Sequence, residues 1–269
     1  MRIQFITAFL ACTVLVGCGS DVGMDRPRLT DDIDWAVRVR IGDHYCTASL
    51  LSEHWLLTAG HCVDAGPEAQ VVVSHEIFGE RTVVYEGAAE LILHPEYDEI
   101  GTLTHRWNDI GLVGLLDGAI EVGERARLSG ADSSFDALWS GEHLIYAVGY
   151  GRVPDPKTGE CGDELGSKKR YDGLLLLRLL GPLFGGAREV ELDGRPDSLC
   201  DGDSGGPLLI DLHGVPHAFA VFSGRALMRD LFYGTLSGRK IGWFESATES
   251  THAPLDCVDL GGDSWECLE

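Results

Sequence analysis

The most informative stretch of this chain is Cys200-Asp201-Gly202-Asp203-Ser204-Gly205-Gly206-Pro207. It sets one serine among glycines and beside an acidic residue. Glycine permits backbone conformations that other residues avoid, so the chain can turn sharply and leave amide N–H groups pointing outward. Such a turn can present Ser204 as a nucleophile next to a site that binds a developing oxyanion. Taken alone, the same stretch is also compatible with a surface loop.

Two further motifs precede this stretch in a fixed order. The first is Thr58-Ala59-Gly60-His61-Cys62, and the second is Asn108-Asp109-Ile110-Gly111-Leu112-Val113. The order His, Asp, Ser is that of the catalytic residues of chymotrypsin-type enzymes. On these motifs the chain resembles the chymotrypsin/trypsin-like serine proteases from about residue 33 to about residue 245. The resemblance implies two six-stranded antiparallel β-barrels and a short C-terminal helix near Ile241–Ala247.

The hydrophobic pattern independently predicts an all-β fold. Short alternating or apolar runs recur from Trp35 onward, and Gly, Pro, Asp and Ser separate them, as is typical of barrels and sandwiches. A chain of 269 residues is long enough for one two-barrel unit. We expect a signal peptide at 1–17, a lipidated N-terminus and tether at 18–32, a protease domain at 33–247 and an acidic, cysteine-containing tail at 248–269.

The resemblance implies a role for each residue of the three motifs. His61 would take the proton of Ser204 as a general base, and Asp109 would hold the imidazole in one tautomer. The N–H groups of Gly202 and Ser204 would form the oxyanion hole, and the Ser223 hydroxyl would support Asp109. Read alone, His61 could be a structural histidine, Asp109 a solvated turn carboxylate and Ser223 a surface serine.

The substrate pocket departs from the family pattern. Counting back from Cys200 places Ser198 on the pocket floor with Leu199 beside it, which favours a specificity other than for Arg or Lys. A shift of one residue would restore an acidic floor at Asp197. The segment Gly224-Arg225 stands where the family has an aromatic residue and then glycine. Arg225 would therefore block the cleft or select an acidic group, and we favour blocking.

The family's activated N-terminus, Ile/Val-Val/Ile-Gly-Gly, is missing, and Val22-Gly23 is a poor match. In that family a liberated α-ammonium group pairs with the acid before the nucleophile, here Asp203. A buried carboxylate without a partner is costly. We therefore expect an internal arginine or a neutral acid at this position.

Six of the eight cysteines remain once Cys12, in the signal, and Cys18 are set aside. An even number in an exported chain predicts disulfides. The resemblance implies Cys46–Cys62, and it aligns a missing family disulfide with two apolar residues, Ile145 and Ile210. We propose Cys161 as the partner of Cys200 and a tail loop closed by Cys257–Cys267, while the sequence alone leaves the pairing of these four cysteines open. Since no CxxC or HExxH motif occurs, we expect no metal and no cofactor.

The first residues predict export. Arg2 precedes an apolar run, Ile3–Val16, that is too short to span a bilayer. Leu15-Val16-Gly17-Cys18 is similar to a bacterial lipobox, with lipid on Cys18, and Gly19 favours the outer membrane. The alternative is an ordinary cleaved signal and a secreted protein. A net charge of −22 argues against nucleic acid and against adsorption to anionic membranes, so membrane contact would be through the lipid alone.

The leading functional interpretation is an exported, monomeric serine endopeptidase that acts on protein or peptide substrates. The alternative is a catalytically inactive binding protein of the same fold at the bacterial envelope, because fold alone does not guarantee activity. A third interpretation is an esterase that uses the same three side chains.

Overall fold

The computed structural model describes residues 28–77, 79–100, 105–121, 123–130, 145–155, 160–172, 176–180, 189–193, 199–225, 230–236, 238–261 and 264–269. The predicted signal peptide, Cys18 and most of the predicted tether lie outside these residues. Strands dominate the described part, and none of its helices is long and apolar enough to cross a bilayer. The all-β prediction is confirmed.

The first half of the chain forms a closed six-stranded barrel. Its strands are β2 (Ala36–Ile41), β3 (His44–Leu50), β4 (Trp55–Thr58), β5 (Glu68–Ile77), β6 (Glu80–Leu93) and β9 (Gly111–Leu115), with a single helical turn α1 (Gly60–Val63) after β4 and a separate pair β7 (Asp98–Ile100) and β8 (His105–Trp107). The barrel strands pair in the order β2-β3-β4-β9-β6-β5. The core is built by alternating side chains, because Val37, Val39 and Ile41 of β2 all point inward and are at most 2% exposed.

The second half forms an eleven-stranded sheet, larger than the six strands that were predicted. Its strands are β1 (Arg28–Leu29), β10 (Arg127–Ser129), β11 (Ile145–Gly149), β14 (Lys169–Asp172), β15 (Leu176–Leu180), β16 (Glu189–Asp193), β17 (Pro207–Leu212), β18 (Val215–Arg225), β19 (Asp230–Thr235), β20 (Asp256–Gly261) and β21 (Ser264–Leu268), and a separate hairpin joins β12 (Arg152–Pro154) to β13 (Cys161–Leu165). The central path of the sheet is β14-β11-β17-β18, from which β19, β16 and β15 continue. The sheet is larger than predicted because β1 pairs with β14, and because β10 pairs in parallel with β18 and also pairs with β21 of the C-terminal hairpin β20–β21.

Covalent links and packing agree with the sequence-based pairings. The structure contains the disulfides Cys46–Cys62, Cys161–Cys200 and Cys257–Cys267. Ile145 and Ile210 are direct cross-strand partners on β11 and β17, and both are buried. Two apolar side chains thus pack together at the positions aligned with the missing family disulfide.

The predicted C-terminal helix is present as α2 (Gly238–Thr248). The tail beyond this helix is a folded hairpin that also contacts the first barrel. The indole N–H of Trp55 donates to the Ala253 carbonyl at 2.5 Å, and a Glu269 oxygen lies 2.5 Å from His54 Nδ1. The tail is therefore part of the packed structure.

Candidate active site

His61 lies on the helical turn α1, directly after β4. The turn brings the backbone of Gly60 against the loop that precedes β9. A Cβ atom at position 60 would lie 2.9 Å from Leu93 Cδ1 and 3.0 Å from Asp109 Oδ1. These distances are too short for most side chains, so glycine before His61 allows the histidine and the aspartate to approach each other.

Asp109 is fully buried at the start of β9 and accepts three hydrogen bonds. Its Oδ1 accepts from the His61 backbone N–H at 2.7 Å. Its Oδ2 lies 2.7 Å from His61 Nδ1 and accepts from the Ser223 hydroxyl at 2.6 Å. A carboxylate can only accept, so Nδ1 carries the proton and Nε2 is left as a base. The residue before it, Asn108, has a φ of 51°, a conformation that asparagine tolerates better than most residues.

Ser204 lies in the turn between Cys200 and β17, and backbone hydrogen bonds fix that turn against both halves of the molecule. The Ser204 carbonyl accepts from Thr47 N–H of β3 at 2.7 Å, and Gly205 N–H donates to Phe222 O of β18 at 2.8 Å. The Thr47 hydroxyl donates to the Gly202 carbonyl at 2.9 Å. The nucleophile candidate is therefore held where the first barrel meets the second sheet.

The amide groups of this turn, which we call the oxyanion turn (Cys200–Gly206), differ in whether they have a protein partner. The N–H groups of Asp203, Gly205 and Gly206 donate to backbone carbonyls. Those of Gly202 and Ser204 donate to no protein atom within the described ranges. Gly202 has a φ of 93°, which favours glycine. Two neighbouring unpaired donors are what a developing oxyanion requires.

His61 and Ser204 line the same cleft, of about 620 Å³. In the described part of the chain Ser204 does not hydrogen-bond to the imidazole, a separation that is common before substrate binds. The lining of this cleft also includes Arg152, Asp163 and Leu165, which were not predicted from the sequence. These residues lie on the β12–β13 hairpin, which the Cys161–Cys200 disulfide ties to the oxyanion turn.

Asp203 is fully buried beneath the oxyanion turn. Its carboxylate accepts from Gly151 N–H at 2.6 Å, Cys200 N–H at 2.8 Å and the Tyr171 hydroxyl at 3.0 Å. Burial raises the pKa of this carboxyl, whereas the ammonium group of Lys169, the two amides and Tyr171 oppose that rise. The neighbouring cation is Lys169 and not the arginine of the first expectation, whereas the alternative, a neutral acid, stays a prediction.

Lys169 and Tyr171 were missed because no motif marks them. The available signal is the alternation in Lys168-Lys169-Arg170-Tyr171, which places Lys169 and Tyr171 on one face of a strand. Both side chains are 3% exposed.

The predicted substrate-pocket residues are only partly described. Ser198 lies outside the described residues. Leu199 is buried at 1% exposure. Gly224 lies at a bulge between β18 and β19, and the Arg225 backbone pairs with Leu231, while the Arg225 side chain lies outside the described part.

A cluster of potential metal ligands, Cys46, Cys62 and His61, lies beside the cleft. The two sulfur atoms are bonded to each other in a disulfide. They therefore offer no thiolate, which is the form of cysteine that binds metals.

Comparison with known proteins agrees with this geometry. Trypsin from Squalus acanthias is 24% identical over 186 residues, which cover 65% of this chain and 73% of the relative. Proproteinase E from Bos taurus is 25% identical over 77% of this chain and 85% of its own length. Chymotrypsin-like elastase family member 3B from Homo sapiens is 24% identical over 93% of this chain and 100% of its own length. The family model for trypsin matches residues 22–169, more than half of the chain. The chain therefore belongs to the trypsin family of serine proteases.

Proposed function

We propose that this protein is a serine endopeptidase whose catalytic triad is His61, Asp109 and Ser204. The observation that carries the proposal is the chain of hydrogen bonds from Ser223 through Asp109 to His61, which shares a cleft with Ser204. An unassisted serine hydroxyl is a poor nucleophile near neutral pH, so it needs a base of this kind.

In the acylation step His61 Nε2 accepts the hydroxyl proton as Ser204 Oγ attacks the substrate carbonyl carbon. The carbonyl oxygen becomes an oxyanion and accepts hydrogen bonds from the free N–H groups of Gly202 and Ser204. The imidazolium then gives its proton to the leaving amine, the carbon–nitrogen bond breaks, and the acyl group remains on Ser204. The buried Asp109 stabilises the imidazolium while the charge exists.

Deacylation repeats these steps with water as the nucleophile. His61 takes a proton from the water, the hydroxide attacks the acyl carbon, and the proton returns to Ser204 Oγ as the carboxylic acid leaves. Ser204 and His61 thus finish the cycle in their starting protonation states.

The experiment that tests the proposal is a cleavage profile on a peptide library, with matched ester substrates. We expect the wild-type protein to cleave peptides, and the substitutions Ser204→Ala and His61→Ala to abolish that cleavage. Hydrolysis of esters without peptides would favour an esterase. No hydrolysis of either would contradict the proposal.

For the cleft, we propose that Arg225 obstructs the substrate strand. The substitution Arg225→Gly should then raise cleavage of apolar or aromatic substrates. A fall in cleavage next to acidic residues would show selection instead, and an unaltered profile would place Arg225 outside the cleft.

We also propose that the protein is exported and anchored by lipid on Cys18. Its three disulfides support an oxidising compartment. The substitution Cys18→Ser should move the protein from the membrane fraction to the soluble fraction. Unchanged fractionation with an unmodified N-terminal peptide would reject the anchor.

A further inference from the structure

We infer that Lys169 and Tyr171 are positioning residues that hold Asp203, and through it the oxyanion turn, so that the site forms without an ammonium group from a cleaved N-terminus. The inference rests on the proposed function, because it assigns how the oxyanion hole of that function is kept in order.

Asp203 separates the two residues whose free amides form the proposed oxyanion hole. Its own N–H donates to Cys200 O at 3.0 Å, and its carbonyl accepts from Gly206 N–H at 2.8 Å. The side chain closes the same turn, because Oδ2 accepts from Cys200 N–H at 2.8 Å. A displacement of Asp203 therefore moves Gly202 and Ser204 together.

The backbone around the Asp203 carboxylate packs closely against it. A Cβ atom at position 151 would lie 2.4 Å from Asp203 Cγ, and one at position 149 would lie 2.1 Å from Asp203 Oδ1. Both positions are glycine, so the backbone closes directly around the carboxylate. All three hydrogen-bonding groups around it are donors, which favours the ionised form.

A positive charge that opposes the rise in the pKa of this carboxyl on burial comes from Lys169 of strand β14. Lys169 Nζ donates to the carbonyl oxygens of Gly151 and Arg152, the latter at 3.0 Å, and it lies 5.8 Å from the centre of the Tyr171 ring. Gly151 thus accepts a hydrogen bond from Lys169 at its carbonyl oxygen and donates its own N–H to Asp203. Tyr171, two residues along the same strand face, completes the arrangement through its hydroxyl.

Lys168, the residue before Lys169, provides a control that also removes a buried charge. Lys168 is equally buried, at 1% exposure, but its ammonium group donates to Ile33 O at 3.1 Å and lies 4.0 Å from Asp34. The substitution Lys168→Met removes a buried charge one position before β14 and should leave the surroundings of Asp203 intact.

The experiment compares Lys169→Met, Tyr171→Phe and Lys168→Met in the full chain. We expect the first two to speed amide exchange in peptides covering 199–206 and to lower kcat about tenfold or more, as loss of an oxyanion donor does. KM should change by less than about twofold, because the lost interaction acts in the transition state. In the Asp203→Asn background Lys169→Met should have little further effect on exchange, since it acts through Asp203. Lys168→Met should leave exchange and kcat near the wild-type values.

A second arm uses the mature chain, without residues 1–17 and with residues 18–27 verified intact by mass spectrometry. It should be as active as the same chain cleaved within residues 19–27. Activity that appears only after cleavage would overturn the inference, as would unchanged exchange and kcat in both test variants, or equal losses in Lys168→Met. If every form lacks activity, the proposed function fails, whereas the exchange rates still decide whether Lys169 and Tyr171 hold the turn.

Discussion

Removal of the Cys161–Cys200 disulfide should cost more stability than removal of either other disulfide. A disulfide restricts the unfolded chain, and the effect grows with the length of the closed loop. The three pairs are 39, 16 and 10 residues apart for Cys161–Cys200, Cys46–Cys62 and Cys257–Cys267. These separations correspond to about 3.9, about 3.1 and about 2.7 kcal/mol at 25 °C.

The assay is urea unfolding of three double alanine variants, one for each pair. With a slope of about 3 kcal/mol per molar urea, the midpoint should fall by roughly 1.3 M for Cys161–Cys200 and by roughly 0.9 M for Cys257–Cys267. Activity should separate the pairs further, because only Cys161–Cys200 ties the β12–β13 hairpin to the oxyanion turn. We expect its loss to lower kcat/KM at least about tenfold, and the loss of Cys257–Cys267 to change it by less than about twofold.

The tail pair is the matched control for this reasoning, since it removes a disulfide that lies away from the cleft. The largest loss of stability in the tail variant would refute the loop-length argument. Equal activity of the Cys161–Cys200 and Cys257–Cys267 variants would refute the claim that the first disulfide supports the oxyanion turn.

Three further substitutions test separate contacts. The substitution Ser223→Ala removes the 2.6 Å hydrogen bond to Asp109 and should lower kcat/KM by up to about tenfold. The exposed Ser246→Ala is the control, and equal kcat/KM values in the two variants would contradict the role of Ser223. The substitution Gly151→Ala would force a Cβ against the Asp203 carboxylate and should lower the free energy of unfolding by about 1–3 kcal/mol in thermal unfolding. The control Gly242→Ala, which has open space around its Cβ, should leave that free energy unchanged. Burial, aided by the charge of Lys240, lowers the pKa of His94 to about 4, so the unfolded chain binds this proton at higher pH than the folded chain. The free energy of unfolding should therefore fall by about 1–2 kcal/mol, after solvent screening, as the pH drops from about 6.5 to about 4. The substitution His94→Gln should flatten that part of a profile of stability against pH.

The sequence was most informative where function depends on short local motifs. The turns around His61, Asp109 and Ser204 each need glycine or asparagine at particular backbone positions, so their residues appear together in the chain. Gly60 illustrates this, because a side chain there would meet Leu93 and Asp109. The pairing of Ile145 with Ile210 was also predictable, since two apolar residues can pack where a disulfide would otherwise lie.

The partners of Asp203 were not predictable, because they depend on contacts between distant strands. The pairing of β14 with β11 brings the Tyr171 hydroxyl to Asp203, with Lys169 two residues before it on the same strand, and no local motif encodes that pairing. The size of the second sheet was missed for a similar reason. The tail hairpin joins the sheet through β10, over 130 residues earlier in the chain, and its acidic composition gave no sign of strand pairing.

Covalent labelling tests whether Ser204 is a nucleophile activated by His61. The folded protein would be treated with a fluorophosphonate, and the modified residue located by peptide mass spectrometry. We expect one adduct per molecule, on Ser204, that forms at least about a thousandfold more slowly in His61→Ala. No adduct on Ser204 in the wild-type protein, or an equal rate in His61→Ala, would contradict it.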